Sequence, residues 1–535
     1  MKKRSIAITA ALVATVAATA ALAGCTGDHY NSVSFAAQDT SYAVTSQGGS
    51  VVAYGNYLYF INGTRGYDDS EGSANVWDKV VKGALYRTEL NGSAVDGAGY
   101  KTFAPVRDAD TGLEFEIEAG EHKDYFDEPI DVVVSEKVAP KTIGTSGYSS
   151  GGIFIYDNYA YFASPVNMKN STGTVQTTRT DYFMMPLNGG SPKKIYTSSD
   201  GVDTSSSAYA FYKFNDSVYL VVNEVKDSVG TIVSVKIDAK KAKIADPVRF
   251  ENIKATSVYF PVRDTYYNGI DNNTVEDFIY FVREVTADDS SRSGSVIEAM
   301  RPDGSENFEV LQTGKTASIE AVRDGLVFIR TQNNLNNTVI EYDSLHNKLV
   351  EASPTYKAAH ETDGRQVTSF DTDRPAMTVP STVTATYAFR PDTQSNEVYF
   401  IGTTSSAIRL YKADGSFETL STSTGTTQFI KDNYLYYAGS SSDFYRVALW
   451  SNMTDYGTSQ QLATGTTSAG ISCDYAAGYF TYFAEVDQWA DGYTFFYKLD
   501  GLEGEEPKFV GTRAEADIPT EEQIKEANGE TDEEE

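Results

Sequence analysis

The sequence predicts an all-β chain that repeats one small antiparallel sheet, and three observations carry that prediction. An aromatic run recurs eight times, Asn, Asp and Gly residues flank it at regular places, and the composition favours strands. The 535 residues include 37 Tyr, 27 Phe and 42 Gly against 2 Cys and 4 His. That aromatic content supports a large core, so disorder is not the starting expectation.

The clearest copy runs from Thr427 to Leu462. Four short runs rich in aromatic and β-branched residues are separated there by turn residues. Its centre is Tyr434-Leu435-Tyr436-Tyr437. Earlier copies are Tyr57-Leu58-Tyr59-Phe60, Tyr159-Ala160-Tyr161-Phe162, Ser217-Val218-Tyr219-Leu220 and Phe278-Ile279-Tyr280-Phe281. The others are Gly325-Leu326-Val327-Phe328, Glu397-Val398-Tyr399-Phe400 and Phe480-Thr481-Tyr482-Phe483. The third column is Tyr throughout except at Val327.

Gly55-Asn56, Asp157-Asn158, Asn215-Asp216, Asp324-Gly325 and Asp432-Asn433 stand before these runs and predict tight hairpins into them. A third strand follows each run, as at Leu85-Tyr86-Arg87. A second turn then comes at Asn91-Gly92, Asn188-Gly189, Asp303-Gly304, Asp414-Gly415 and Asp500-Gly501. A fourth strand closes the unit.

The run itself is apolar on both faces: Leu58 and Phe60 point one way, Tyr59 and Ile61 the other. A lone antiparallel sheet would keep one polar face. Each sheet therefore needs cover on both sides, which sheets stacked around an axis supply. The predicted fold is a β-propeller of about eight four-stranded antiparallel blades over residues 49–512. Seven or nine blades stay open, because the first unit carries an insert at 105–147. A β-sandwich pair and a β-solenoid are the alternatives. Thr520-Glu521-Glu522-Gln523 is a capping box, so a short helix is expected in the acidic tail, 513–535.

The N-terminus reads as an address. Lys2, Lys3 and Arg4 precede an apolar stretch that ends in Leu22-Ala23-Gly24-Cys25. This resembles the bacterial lipoprotein signal, which implies a signal peptide over 1–25, lipid attachment at Cys25 and a place in the cell envelope outside the cytoplasm. An uncleaved membrane anchor and an ordinary secretory signal are the alternatives. Residues 26–48 are a polar tether, in which SVSFAA and SYAVTS could each add an edge strand. Cys473 is then the remaining thiol, in a strand context, and reads as a small packed residue.

The aromatic second strand, followed by Leu85-Tyr86-Arg87 and Leu90-Asn91-Gly92-Ser93, resembles bacterial lipoproteins with repeats like the YWTD propeller of low-density-lipoprotein-receptor-type proteins. The resemblance spans most of the chain and implies a fold and a binding habit. It departs in the number of units and in lacking the Trp-Thr-Asp part of the motif.

The formal net charge of −30 excludes nucleic acid as the expected partner, since phosphate needs clustered Lys and Arg. A glycan, a peptide or another protein is expected to bind a monomer held on a membrane. Second-to-third loops and unit-to-unit connections share one face of the fold. It collects the long insertions 62–83, 105–147, 164–180, 351–386 and 485–492, and marks the binding surface. Tyr67, Trp77, Trp489 and Tyr493 are its candidate aromatic platforms.

Other chemistry is sparse. Gly147-Tyr148-Ser149-Ser150-Gly151 matches a hydrolase elbow in letters, but a β-run follows it where a helix is needed. The His and Cys residues lack zinc spacing, and no cofactor is expected. Asp108, Asp110, Glu114 and Glu116 alternate as calcium ligands can, though the loop departs from an EF-hand at Gly112 and Ala119. The carboxylate pair of a glycosidase is a spatial arrangement that spacing does not exclude. A polysaccharide-active enzyme, whether glycosidase or lyase, and an envelope scaffold are therefore the alternatives to a binding protein.

Overall fold

A computed structural model gives the architecture. It describes the strands below and the short turns that join them. Residues 1–43, 62–84, 91–99, 102–105, 108–113, 116–130, 140–151, 261–277, 286–293, 345–352, 354–375, 390–396, 464–471 and 513–535 lie outside the described residues, with a few shorter stretches. The capping box at 520–523, SVSFAA and most of the serine connector at 147–151 fall there.

The described residues are all strand and turn, and they group in chain order into eight four-stranded units. The first comprises Val51–Tyr54, Tyr57–Ile61, Leu85–Leu90 and Asp131–Ala139; the second Phe154–Tyr156, Tyr159–Lys169, Val175–Pro186 and Lys193–Thr197. The third comprises Tyr209–Phe214, Ser217–Lys226, Val229–Asp238 and the first half of Val248–Tyr259. The second half of that long strand opens the fourth unit, which continues through Ile279–Val285, Gly294–Met300 and Phe308–Gln312. The fifth is Ala317–Arg323, Leu326–Asn334, Asn337–Ser344 and Ala376–Pro380; the sixth Thr384–Phe389, Tyr399–Thr403, Ile408–Lys412 and Phe417–Ser421. The seventh is Gly425–Lys431, Tyr434–Gly439, Phe444–Ala448 and Gln460–Ala463; the eighth Ser472–Asp474, Tyr479–Val486, Trp489–Lys498 and Lys508–Thr512.

The turns form for the reasons the sequence suggests. Asp157 and Asn158, Asn215 and Asp216, and Asp432 and Asn433 all take positive φ, as a two-residue type I′ hairpin requires. The Asp-Gly-Ser turns form a second repeated device. Asp303 Oδ1 accepts from Ser305 N at 3.0 Å and Ser305 Oγ at 2.6 Å, and Asp414 Oδ1 accepts from Ser416 N at 2.9 Å and Ser416 Oγ at 2.6 Å. The glycine between them sits at φ +82° in Gly304 and +83° in Gly415. A Cβ on Gly304 would also lie 2.2 Å from the Phe250 ring, so this turn demands glycine twice over.

Both faces of the second strands of units one to seven pack. Tyr57 and Tyr59 join a core with Ala160 and Phe162 of the second unit, while Tyr161 packs on the third. Tyr280 and Val282 join Val327 and Ile329, and Phe328 joins Phe400. Tyr399 and Ile401 join Leu435 and Tyr437. One face thus packs forward on the next unit and the other backward. First strands of successive units also touch: second with third, fourth with fifth, fifth with sixth, sixth with seventh, and eighth with first. Face-to-face stacking with first strands together is the arrangement of propeller blades.

This alternation corrects the repeat alignment at one place. Arg323 pairs with Leu326 across the turn, as Tyr156 pairs with Tyr159 and Lys431 with Tyr434. Leu326 is therefore the first column, and Phe328 takes the third. Val327 faces backward, where a third-column residue faces forward. Counting Gly325 as part of the strand slipped the register by one, which exchanges the two faces.

Several expected loops are strands instead. Residues 164–180 extend the second unit's hairpin, pairing out to Lys169 with Val175. Residues 485–492 are mostly strand, with Val486 paired to Trp489. The insert at 105–147 supplies the first unit's fourth strand, Asp131–Ala139, and the stretch 351–386 supplies Ala376–Pro380. Within the expected tether, Val44–Thr45 pairs with Ile155 and Phe154 on the free edge of the second unit's first strand. Lys508–Thr512 runs parallel to Asp131–Ser135, so the last unit's outer strand meets the first unit's.

Two series of β-bulges punctuate the units. In outer strands the extra residue is Val138, Ile195, Val310, Leu420 or Leu462. In the first strands of units four to seven it is Thr256, Glu320, Thr386 or Gln428. First strands of units one to three pair without a shift.

Candidate functional site

The face where second strands turn into third strands is uneven. Units two, three, five and eight carry second and third strands of eight to twelve residues, whereas those of units six and seven have five or six. The third unit's hairpin closes at Lys226 and Val229 across Asp227 and Ser228, whose φ values are 51° and 64°. The opposite face carries the tight Asx turns described above.

A polar junction links the second unit's outer strand to the third unit's hairpin near its closing turn. Glu224 is buried beside Asn223 in the second strand of unit three. Its Oε1 accepts from Tyr196 Oη at 2.5 Å and from Ser199 N at 2.9 Å. Its Oε2 lies 2.9 Å from Arg249 Nη2, which also reaches Tyr196 Oη at 2.8 Å and Ser199 Oγ at 2.5 Å. Burial, then the Glu224 hydrogen bond and charge, push the Tyr196 hydroxyl up to about 12, so it stays a donor. Carboxylate, phenol and guanidinium satisfy one another across two units. Such a junction fixes the angle between the hairpins; the groups already bond one another, which does not suit an acid–base pair.

A second polar pair lies on the bulged strands. Glu320 is the extra residue of the fifth unit's first strand. Its Oε2 accepts from Arg330 Nη2 at 2.9 Å, and its Oε1 lies 2.9 Å from Arg330 Nε, close enough for an ion pair but out of line for a second hydrogen bond. Burial raises the Glu320 carboxyl above its ordinary value, against the lowering effect of Arg330.

Of the residues singled out from the sequence, only some are described. Trp489 and Tyr493 stand on one strand, opposite Val486 and Ala484, and not in a loop. Tyr67 and Trp77 lie outside the described residues, as do Asp108, Asp110 and Glu116. Glu114 begins a short strand and pairs with Arg107. Cys473 sits on the eighth unit's first strand opposite Phe480. Cys25 is also outside the described residues. The signal that could have found Glu224 is Asn223-Glu224, a polar pair inside Val221-Val222 and Val225. Glu320 had no such signal, because a bulge is invisible to alternation.

No family model and no curated protein matches this chain. Among solved structures, a prolyl endopeptidase overlaps at TM-score 0.35 and 12% identity, over 67% of this chain and 48% of its own. A Pyrococcus horikoshii acylaminoacyl peptidase overlaps at TM-score 0.34 and 10% identity, over 68% and 52%. The chain thus spans about half the length of these peptidases. The β-propeller domain of a Pyrococcus furiosus protease overlaps at TM-score 0.31 and 10% identity, over 80% and 97%. A polysaccharide lyase overlaps at 0.31 and 12%, over 80% and 92%. The architecture rests on the ladders and cores above.

Proposed function

We propose that this chain is a lipid-anchored, extracytoplasmic binding protein. Its eight units are the blades of a propeller joined between the first and last, and its hairpin-bearing face takes a ligand or protein partner. The direction of Val44–Thr45 carries the proposal. Val44 lies opposite Ile155 and Thr45 opposite Phe154, antiparallel to a strand that runs toward the Asp157-Asn158 turn. Chain before Val44 therefore enters from the tight-turn side. A lipid on Cys25 tethers that side to the membrane, and the hairpins of units two, three and five point away from it. The tether between them spans at most about 65 Å when fully extended.

The test is labelling of the lipidated chain in vesicles. Lys226→Cys marks the hairpin side and Lys193→Cys the turn side, both at exposed positions, in a Cys473→Ser background. A bulky impermeant maleimide should modify Lys226→Cys several-fold faster, and Cys25→Ala should release the protein from the vesicles and abolish the difference. Equal rates on the lipidated chain would refute the orientation; a membrane-bound Cys25→Ala variant would refute the anchor.

A further inference from the structure

We propose that the outer strands of unit six carry a binding site for a small organic oxyanion, a carboxylate or phosphate borne on an apolar group. Arg409 and Tyr411 would hold the oxyanion, and Phe417 would meet the apolar part.

Arg409 stands apart among the described arginines. Arg179, Arg249, Arg283, Arg301 and Arg330 each lie against a carboxylate. Arg87 Nη1 donates to the Leu187 carbonyl at 3.0 Å, and Arg446 Nε donates to Gln460 Oε1 at 2.6 Å. Arg409 Nε is buried without a hydrogen-bond partner, and no carboxylate pairs with this guanidinium among the described residues. That is so in a chain with 74 Asp and Glu against 44 Lys and Arg. The guanidinium instead lies over the Phe417 ring, with Cζ 4.3 Å from the centroid. Stacking occupies its face and leaves its donors around the edge.

A second donor stands beside it. Tyr411 follows two residues later, on the same face of the third strand. It is 2% exposed, and its hydroxyl has no hydrogen-bond partner. Phe417 lies directly opposite Tyr411, with ring centroids 5.4 Å apart. Gly402 lies opposite Arg409, and a Cβ there would come 2.7 Å from the Tyr411 ring. The phenol therefore leans over the space that a side chain beside Arg409 would fill. Two buried donors without acceptors thus flank one ring, an arrangement that costs the fold and is seldom kept.

The donors select the ligand. A guanidinium only donates, and the phenol hydroxyl adds another donor, so one acceptor-rich group answers both. Carboxylate and phosphate fit the planar edge of Arg409, whereas a cation would meet its bare charge. The net charge of −30 disfavours an acidic polymer, which points to a small anion. Phe417, 48% exposed, offers an apolar contact beside the donors. Its ring can turn outward to admit the oxyanion, a rotamer change open to an exposed side chain.

The experiment is titration of the detergent-solubilised full chain with phenyl phosphate, phenylacetate and neutral phenylacetamide, followed by saturation-transfer NMR. Both anions should bind, and the amide at least about tenfold more weakly. Arg409→Gln should weaken both anions by about tenfold and Tyr411→Phe by several-fold, with the melting temperature within a degree or two of the parent. Arg409→Lys keeps the charge without the planar edge and should fall between Arg409→Gln and the parent. Arg446→Gln, which alters the stacked arginine of unit seven, should bind as the parent does. Anions that bind no better than the amide would overturn the proposal, as would parent-like binding in Arg409→Gln. Loss of binding only alongside loss of folding, in Arg409→Gln and Arg409→Lys alike, would make Arg409 structural and equally overturn it.

Discussion

The outer and inner bulges share a geometry and differ in what they insert. In the outer series Ile195, Val310, Leu420 and Leu462 are all buried, and the first three add an aliphatic side chain to a unit-to-unit core. There the bulge bends the fourth strand and sends one more apolar residue inward. In the inner series the inserted residue is polar, the affected units are consecutive, and the first three units lack it. The same backbone device thus adds buried aliphatic side chains in the outer series and polar residue types in the inner one.

The contrast breaks most visibly at Leu420, which is 1% exposed. Leu420→Asp leaves an unpaired carboxylate in the core between units six and seven. It should cost about 4 kcal/mol or more, read by urea denaturation of the parent and variant. A loss below about 1 kcal/mol would mean that the outer bulges are no more structural than the inner ones.

Glu224 sharpens the comparison, since it shows a polar residue doing a structural job. Glu224→Ala strands Arg249, Tyr196 Oη and Ser199 N together. A loss of about 3 kcal/mol is expected, as for the removal of one partner from a buried ion pair. Arg249→Met should cost less, because Arg249 keeps about a third of its side-chain surface. If both variants melt with the parent, the junction does not hold the two hairpins together.

At the inner bulges the stability effect should be small. Thr386→Val keeps shape and β-propensity and should change unfolding free energy by no more than about 0.5 kcal/mol. A loss as large as that at Leu420 would place the inner bulges in the same packing class and remove their special standing.

The sequence carried most of the scaffold. Alternating apolar faces and Asx turns are local signals, so the second strands, the I′ hairpins and the Asp-Gly-Ser turns were legible in it. Phe328 was misaligned by one position because the strand begins at Leu326, and alternation has no mark for where a turn stops. The fourth strand of the first unit was hidden in the insert, because Asp131–Ala139 gains its role from distant partners, Leu85–Arg87 on one side and Lys508–Thr512 on the other. Bulges were invisible for the same reason: they are defined by pairing between strands and not by any residue type. The candidate site suffered most. Trp489 and Tyr493 were read as belonging to a loop-rich face because aromatic residues suit both loops and strands, and their pairing with Val486 and Ala484 places them on a strand.

The smallest expected effect concerns pH and Glu320. Burial outweighs Arg330 and raises the folded-state value of Glu320 above the ordinary 4.5. Below that ordinary value the carboxyl is protonated in folded and unfolded chains alike, and its stabilising contribution is complete. As pH rises through the raised value the unfolded chain ionises more readily, and that contribution is lost. Glu320→Gln cannot ionise. Its melting temperature should match the parent near about pH 4 and exceed it by a small margin near about pH 7, with the shift damped because Glu320 keeps about a quarter of its side-chain surface in solvent. A constant difference across that range would mean that the ionised Glu320 costs the fold nothing.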